Sequence, residues 1–233
     1  MRVLILAAGE ATRWGDHLGL PKHLVPLRGE PILHRSVRLI RQLRPEADIR
    51  IVVRDAADAR YHVPGARVEQ ARLREQNGDA DKFLSSMHLW HPEDRTVLLY
   101  GDCYLTTRAM ERIVSGRGHE HGWHVVARFG ASAWTGTEWG ENFAHVIDPD
   151  AQGRYRDCLF ELAARRRREE IWRAGGWEQY ALMAGGDLTE PGRNVGFATH
   201  VDDWSDDFDY PADYDRWCRL YAAAADVVQA LAE

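Results

Sequence analysis

A chain of 233 residues with 30 lysines and arginines against 36 aspartates and glutamates, a net charge of −6 and an isoelectric point near 6.0 lacks the positive surface that general nucleic-acid or membrane-surface binders use. Its length suits a single domain over residues 1–233, and no apolar stretch approaches the roughly 20 residues of a membrane span. Cys103, Cys158 and Cys218 stand far apart with no C-x-x-C pair, which argues against a disulfide framework or a zinc ribbon and predicts reduced thiols in a cytoplasmic protein.

The first predicted element, Val3 to Leu6, is a short apolar run of the kind that a strand buried on both faces shows. It breaks into Ala7-Ala8-Gly9, small residues that leave the backbone open to a ligand, and Arg13 and Lys22 then supply two positive charges suited to a triphosphate. A bland alternative is a strand that merely turns on small residues. After the Gly29-Glu30-Pro31 turn, Ile32, Leu33, Val37, Leu39, Ile40 and Leu43 recur at helical spacing up to Pro45. Ile49 to Val53 reads as a second buried strand, completing a β-α-β unit with a right-handed crossover in a mostly parallel sheet.

Three ordered motifs here, LAAG-x-x-T-R-x-G from Leu6, P-K-x-L from Pro21 and G-x-P-I-L from Gly29, resemble the N-terminal signature of the GT-A-like nucleotidyltransferases. These enzymes move NMP from an NTP onto a phosphorylated acceptor. The resemblance implies an α/β fold, a Rossmann-like three-layer α/β/α sandwich around a mostly parallel mixed sheet. It also implies that Leu6, Ala7, Ala8 and Gly9 bind nucleotide, that Arg13 holds the β- and γ-phosphates and that Lys22 meets the α-phosphate or the acceptor phosphate. One departure is Ala11, where the family often has a second glycine.

Further on, Arg54 to Pro64 is polar and mixed, and Ala66 to Gln70 reads as a third short strand. Gln76 to Asp81 enters a helix carrying Phe83, Leu84, Met87 and Leu89; the resemblance implies base recognition here by Gln76, Asp79 and Ser85, while an ordinary N-cap at Asp79 or Asp81 explains the acidic residues equally well. Thr96 to Tyr100 is another buried strand, and Asp102 follows at its carboxyl end, where ligands collect in open α/β sheets. Beside a triphosphate such a carboxylate calls for a divalent cation, and Mg²⁺ suits both, so Asp102 is the first metal candidate. The histidines between Gly118 and His124 read as a polar turn before a strand, Val125 to Phe129. Ala131 to Phe143 has the glycine and aromatic content of an irregular binding loop, and Trp134, Trp139 and Glu141 are its candidate acceptor-binding residues, with plain packing of the tryptophans as the alternative. Phe143 to Asp148 alternates like a returning strand, and Tyr155 to Arg173 is helical, its Arg165 to Arg168 run reading as a solvated face. Trp177 to Met183 forms a short helix ended by Gly185-Gly186, and Val195 to Val201 a late strand.

The acidic stretch Asp202 to Tyr214 resembles the family's closing motif D-x-P-x-D, with Asp209, Pro211 and Asp213 in its places. The resemblance makes Asp209 the second Mg²⁺ ligand opposite Asp102 and leaves Asp213 to stabilise the start of the last helix. The expected activity is a Mg²⁺-dependent transfer of NMP from an NTP to a sugar phosphate or phosphoalcohol, with release of pyrophosphate and CTP favoured among the nucleotides. A GT-A glycosyltransferase would carry a paired D-x-D, but Asp102-Cys103-Tyr104 has only the first carboxylate; a non-catalytic nucleotide-binding module is the other alternative. Expected partners are therefore the NTP and a phosphorylated small molecule, without nucleic acid or membrane, and the family leaves a homodimer open.

Overall fold

The computed structural model describes residues 1–72, 79–115, 121–193 and 196–232, without the side chains of 79–81 and 226–232. Seven strands form one sheet: β1 (Arg2–Leu6), β2 (Asp48–Val53), β3 (Arg67–Gln70), β4 (Thr96–Tyr100), β5 (Trp123–Arg128), β6 (Glu141–Ile147) and β7 (Ala198–His200). In space they run β7-β5-β6-β4-β1-β2-β3, and β6 alone is antiparallel to both of its neighbours.

Successive side chains of a strand point to opposite faces, and β1 uses both. Val3 and Ile5 enter a core with Leu33, Val37 and Ile40 of α1 (Ile32–Leu43) and Met110 and Ile113 of α3 (Thr107–Ser115). Leu4 and Leu6 enter a second core with Phe83 of α2 (Asp79–Ser86), Tyr155, Leu159 and Leu162 of α4 (Gln152–Arg167), and Tyr180 of α5 (Gly176–Ala184). Each such large apolar side chain contributes about 1.5–3 kcal/mol by leaving water. Helices therefore cover both faces, the α/β/α sandwich that the motifs implied.

Several boundaries differ from the sequence reading, three of them at the cleft or at the sheet edge. Helix α4 stops at Arg167 rather than Arg173, because Glu169 takes a left-handed conformation (φ 61°) with no glycine or proline to announce it. Strand β6 starts at Glu141, which places that residue on the sheet instead of in a loop. Strand β7 is shorter than expected, and Val195 lies outside the described residues.

Two features set the geometry at the carboxyl edge of β1 and β4. The Gly101 N–H donates to the Leu6 carbonyl at 3.0 Å, and a Cβ on Gly101 would stand 2.8 Å from that oxygen, so only glycine lets the turn before Asp102 lie against the end of β1. Beyond it, Cys103–Tyr104 pairs antiparallel with Asp206–Asp207 and draws the late acidic segment onto the same edge. Helix α6 (Pro211–Ala232) then closes this edge through a third apolar cluster in which Trp14, Tyr104, Phe208 and Trp217 are buried. Among the described residues, no helix is long and apolar enough to cross a membrane.

Candidate active site

The loop after β1 is held by its backbone. The Ala7 N–H donates to the Val52 carbonyl at 2.8 Å, and the Ala8 carbonyl accepts from Arg54 Nε at 2.9 Å. Lys82 of α2 lies over Gly9, its Cε 3.7 Å from where a Cβ would be. Ala11 sits at φ 51°, in the left-handed region that disfavours L side chains by about 1–2 kcal/mol. Glycine there loses roughly 0.5–1 kcal/mol more backbone entropy on folding, so Ala11→Gly should still gain up to about 1 kcal/mol. Thermal unfolding should then rise by about 2–4 °C per kcal/mol, whereas a lower melting temperature would mean that the alanine is fixed by packing.

Lys22 opens a 3₁₀ turn, Lys22–Leu24, directly after Pro21, and its side chain is only 8% exposed. Its ammonium forms an ion pair with Asp102 Oδ2 and a second with Asp209 Oδ1 at 3.1 Å. Burial would lower its pKa, but the two carboxylates outweigh that and hold it above the ordinary lysine range. Burial likewise opposes ionisation of Asp102, yet Lys22, with smaller help from His23 and Lys82, keeps this carboxyl well below its usual value. Buried His23 is lowered to about 4, chiefly by desolvation, and is neutral at pH 7. Arg13 Nη2 meets Asp209 Oδ2 at 2.6 Å, and its guanidinium lies over the Tyr210 ring at 5.3 Å. Four residues spread along the chain from Arg13 to Asp209 thus form one alternating charge cluster.

Asp213 performs the structural task expected of it: Oδ2 accepts from the Tyr210 N–H at 2.9 Å and Oδ1 pairs with Arg216 at 3.2 Å, which fixes the first turn of α6 just after Asp209. Asp206 is structural as well, paired with fully buried Arg128 at 3.0 Å and accepting from Thr137 Oγ1. Asp207 and Glu141 are different. Burial, and then repulsion from Asp207 and Asp206 at Glu141 and from Asp209, Asp102 and Asp206 at Asp207, pushes both well above the usual carboxylate range. Sequence reading missed Asp207, although its two-residue spacing from Asp209 on an extended segment was a usable signal.

A cleft of about 520 Å³ is lined by Arg13, Asp102, Asp207 and Asp209 together with Arg166, Trp172, Arg173 and Trp177, with Tyr100, Glu141 and Asn142 also on its surface. The basic run at the end of α4 therefore contributes Arg166 to the cleft and is not simply a solvated face. Trp134 and Trp139 do not line it; they are about half exposed, at 49% and 51%, and Trp134 packs edge-on against Trp204 at 6.0 Å. The chain leaves their loop outward before β6 turns Glu141 in, and Trp172 and Trp177 hold the cleft positions instead. Ser85 is buried and its hydroxyl donates to the Lys82 carbonyl at 2.7 Å, so on this helix Lys82 is the residue at the cleft. Gln76 and His119 lie outside the described residues, as does the side chain of Asp79, the first residue of α2. Among the described residues, the acidic group with metal-like spacing is Glu141, Asp206 and Asp207, and it contains no histidine.

The bifunctional protein GlmU of Paraburkholderia phymatum is 32% identical over 121 residues, covering 52% of this chain and 26% of that protein. GlmU of Burkholderia mallei is 33% identical over 155 residues, covering 66% of this chain and 30% of that protein. The chain thus spans less than a third of the length of these curated relatives. A Bacillus anthracis structure described as a glucose-1-phosphate thymidylyltransferase superposes with a TM-score of 0.64 at 16% identity, covering 94% of both chains. The CTP:phosphocholine cytidylyltransferase of Streptococcus pneumoniae gives 0.54 at 13% identity, covering 94% of this chain and 98% of that one, and likeness at such identities speaks to the fold alone. Residues 3–176, well over half of the chain, match the description of a MobA-like NTP transferase domain, and the protein belongs to that family of nucleotidyltransferases.

Proposed function

We propose that this protein transfers NMP from an NTP, CTP first among the candidates, to a phosphorylated small-molecule acceptor and releases pyrophosphate. The observation that carries the reading is the convergence of Arg13 and Lys22 with Asp102 and Asp209 at the carboxyl edge of β1 and β4. An oxygen of the acceptor phosphate attacks the α-phosphorus in line, and because that oxygen is already anionic no general base is required. Lys22 offsets charge at the α-phosphorus. Arg13, whose side chain is 55% exposed and therefore free to follow the ligand, holds the β- and γ-phosphates and the departing pyrophosphate. Arg166 and Arg173, which also line the cleft, receive the acceptor phosphate, while Trp172 and Trp177 offer ring faces to its carbon skeleton.

The donor set fits a hard divalent cation, since the carboxylates of Asp102, Asp207 and Asp209 line the cleft and Asp207 stands at metal-ligand spacing from Glu141 and Asp206. Mg²⁺ held by Asp102 and Asp209 would supply charge neutralisation for the phosphate oxygens. The test is pyrophosphate release from each of the common NTPs against a panel of phosphorylated sugars, polyols and aminoalcohols, with and without EDTA. Release that requires one NTP, one acceptor and a divalent cation is the expected result. Full activity in EDTA would remove the cation from the scheme, and no acceptor-dependent release with any NTP would remove the transferase reading.

A further inference from the structure

Behind the cleft lies a buried chain of four polar side chains that the proposed chemistry does not use. Tyr155 donates its hydroxyl proton to Gln179 Oε1 at 2.7 Å, so the phenol oxygen, 3.1 Å from His145 Nδ1, can only accept there. His145 therefore carries its proton on Nδ1, and Nε2 accepts from Asn142 Nδ2 at 3.1 Å. His145 is fully buried and lowered to about 3, chiefly by desolvation, so the chain is uncharged at neutral pH. Each link fixes the polarity of the next. Asn142 ends the series among the residues that line the cleft, is 9% exposed, and has its amide nitrogen committed to His145 and its buried Oδ1 without a partner among the described residues. Gly176, which also lines the cleft, packs against this amide, since a Cβ there would stand 2.9 Å from Asn142 Nδ2. A buried carbonyl with no donor costs stability unless a ligand supplies one.

We infer that Asn142 is a specificity-determining residue that accepts a hydrogen bond from a hydroxyl of the acceptor substrate, with the orientation of its amide set by His145, Tyr155 and Gln179. A neutral hydroxyl suits this neutral carbonyl, because the side chains hydrogen-bonded in series to Asn142 carry no charge with which to hold an ammonium. This rests on the transferase reading and narrows the acceptor to a sugar or polyol phosphate.

The experiment has two arms. In the first, ¹⁵N NMR of the whole protein reads the His145 tautomer: Nδ1–H is expected, whereas Nε2–H would mean that Asn142 turns its amide nitrogen to the cleft and would overturn the inference. In the second, kcat/KM is measured for glucose 1-phosphate, other sugar and polyol phosphates, and the deoxyfluoro analogue of each hydroxyl of whichever is used, beside phosphoethanolamine and phosphocholine. Fluorine cannot donate, so one analogue should lose about 10–100-fold in the wild type and less than about threefold in Asn142→Ala. An equal loss on every analogue in Asn142→Ala, or turnover of the aminoalcohol phosphates alone, would sink the inference and leave the transferase reading intact. Should no acceptor be consumed, the transferase reading fails, and with it the acceptor contact assigned to Asn142.

Discussion

Asp102→Asn is expected to lower kcat/KM at least about 10²–10³-fold without unfolding the protein, the order of loss seen when a preorganised charge contact in a transition state is removed. The substitution keeps the size of the side chain and deletes the charge at the one position that Gly101 and the end of β1 hold rigidly, with the Asp102 side chain only 12% exposed. Asparagine also leaves Lys22 with Asp209 as its remaining ion-pair partner, which draws the ammonium away from the α-phosphorus. Asp209→Asn should lose less, because this carboxylate is more exposed, at 28%, and lies beside Asp207. Steady-state kinetics over a range of Mg²⁺ concentrations separates cation affinity from turnover, and circular dichroism verifies the fold. Unchanged kcat/KM in the folded Asp102→Asn protein would move the reacting centre away from this carboxylate.

Lys22→Met should destabilise the protein by about 3–5 kcal/mol, because it strands a buried carboxylate that has lost its partner. In a chain of this length that corresponds to a fall of roughly 6–20 °C in melting temperature, alongside loss of turnover. The pH dependence has a definite sign. Asp102 is held below its unfolded value, so its share of stability is present above about pH 4 and is lost only as pH falls through the folded value. Lys22 is held above its unfolded value, so its share is present below about pH 10 and is lost only as pH rises through the folded value. The gap in melting temperature between wild type and Lys22→Met should therefore be widest where Asp102 is ionised in both proteins and shrink toward acid, because burial without Lys22 raises this carboxyl and lets it take up a proton. A gap that stayed constant into acid would assign the effect to another group, and a loss below about 1 kcal/mol would show that water reaches the pair and screens it.

The sequence by itself determined the layers and the first half of the site. Continuous apolar runs at Val3–Leu6 and Thr96–Tyr100, short and ended by small or turn residues, read as strands buried on both faces, and the 3.6-residue spacing from Ile32 to Leu43 reads as a helix that covers one of those faces, because both patterns are local. Arg13, Lys22 and Asp102 were legible for a similar reason: each follows a strand end or a proline at fixed distance, and strand ends in such sheets gather ligands. The rest of the cleft lining was decided by tertiary structure. Nothing local says that Glu169 turns left-handed and ends α4 early, yet that turn carries Trp172, Arg173 and Trp177 to the cleft while Trp134 and Trp139 face outward. The pairing of Cys103–Tyr104 with Asp206–Asp207 is likewise a contact between distant segments, and it makes Asp206 a structural aspartate and adds Asp207 to the cleft beside Asp209, which the closing motif had already singled out. Charge patterns in sequence report composition along the chain, whereas desolvation and ion pairing depend on which segments meet, and only the folded chain fixes that.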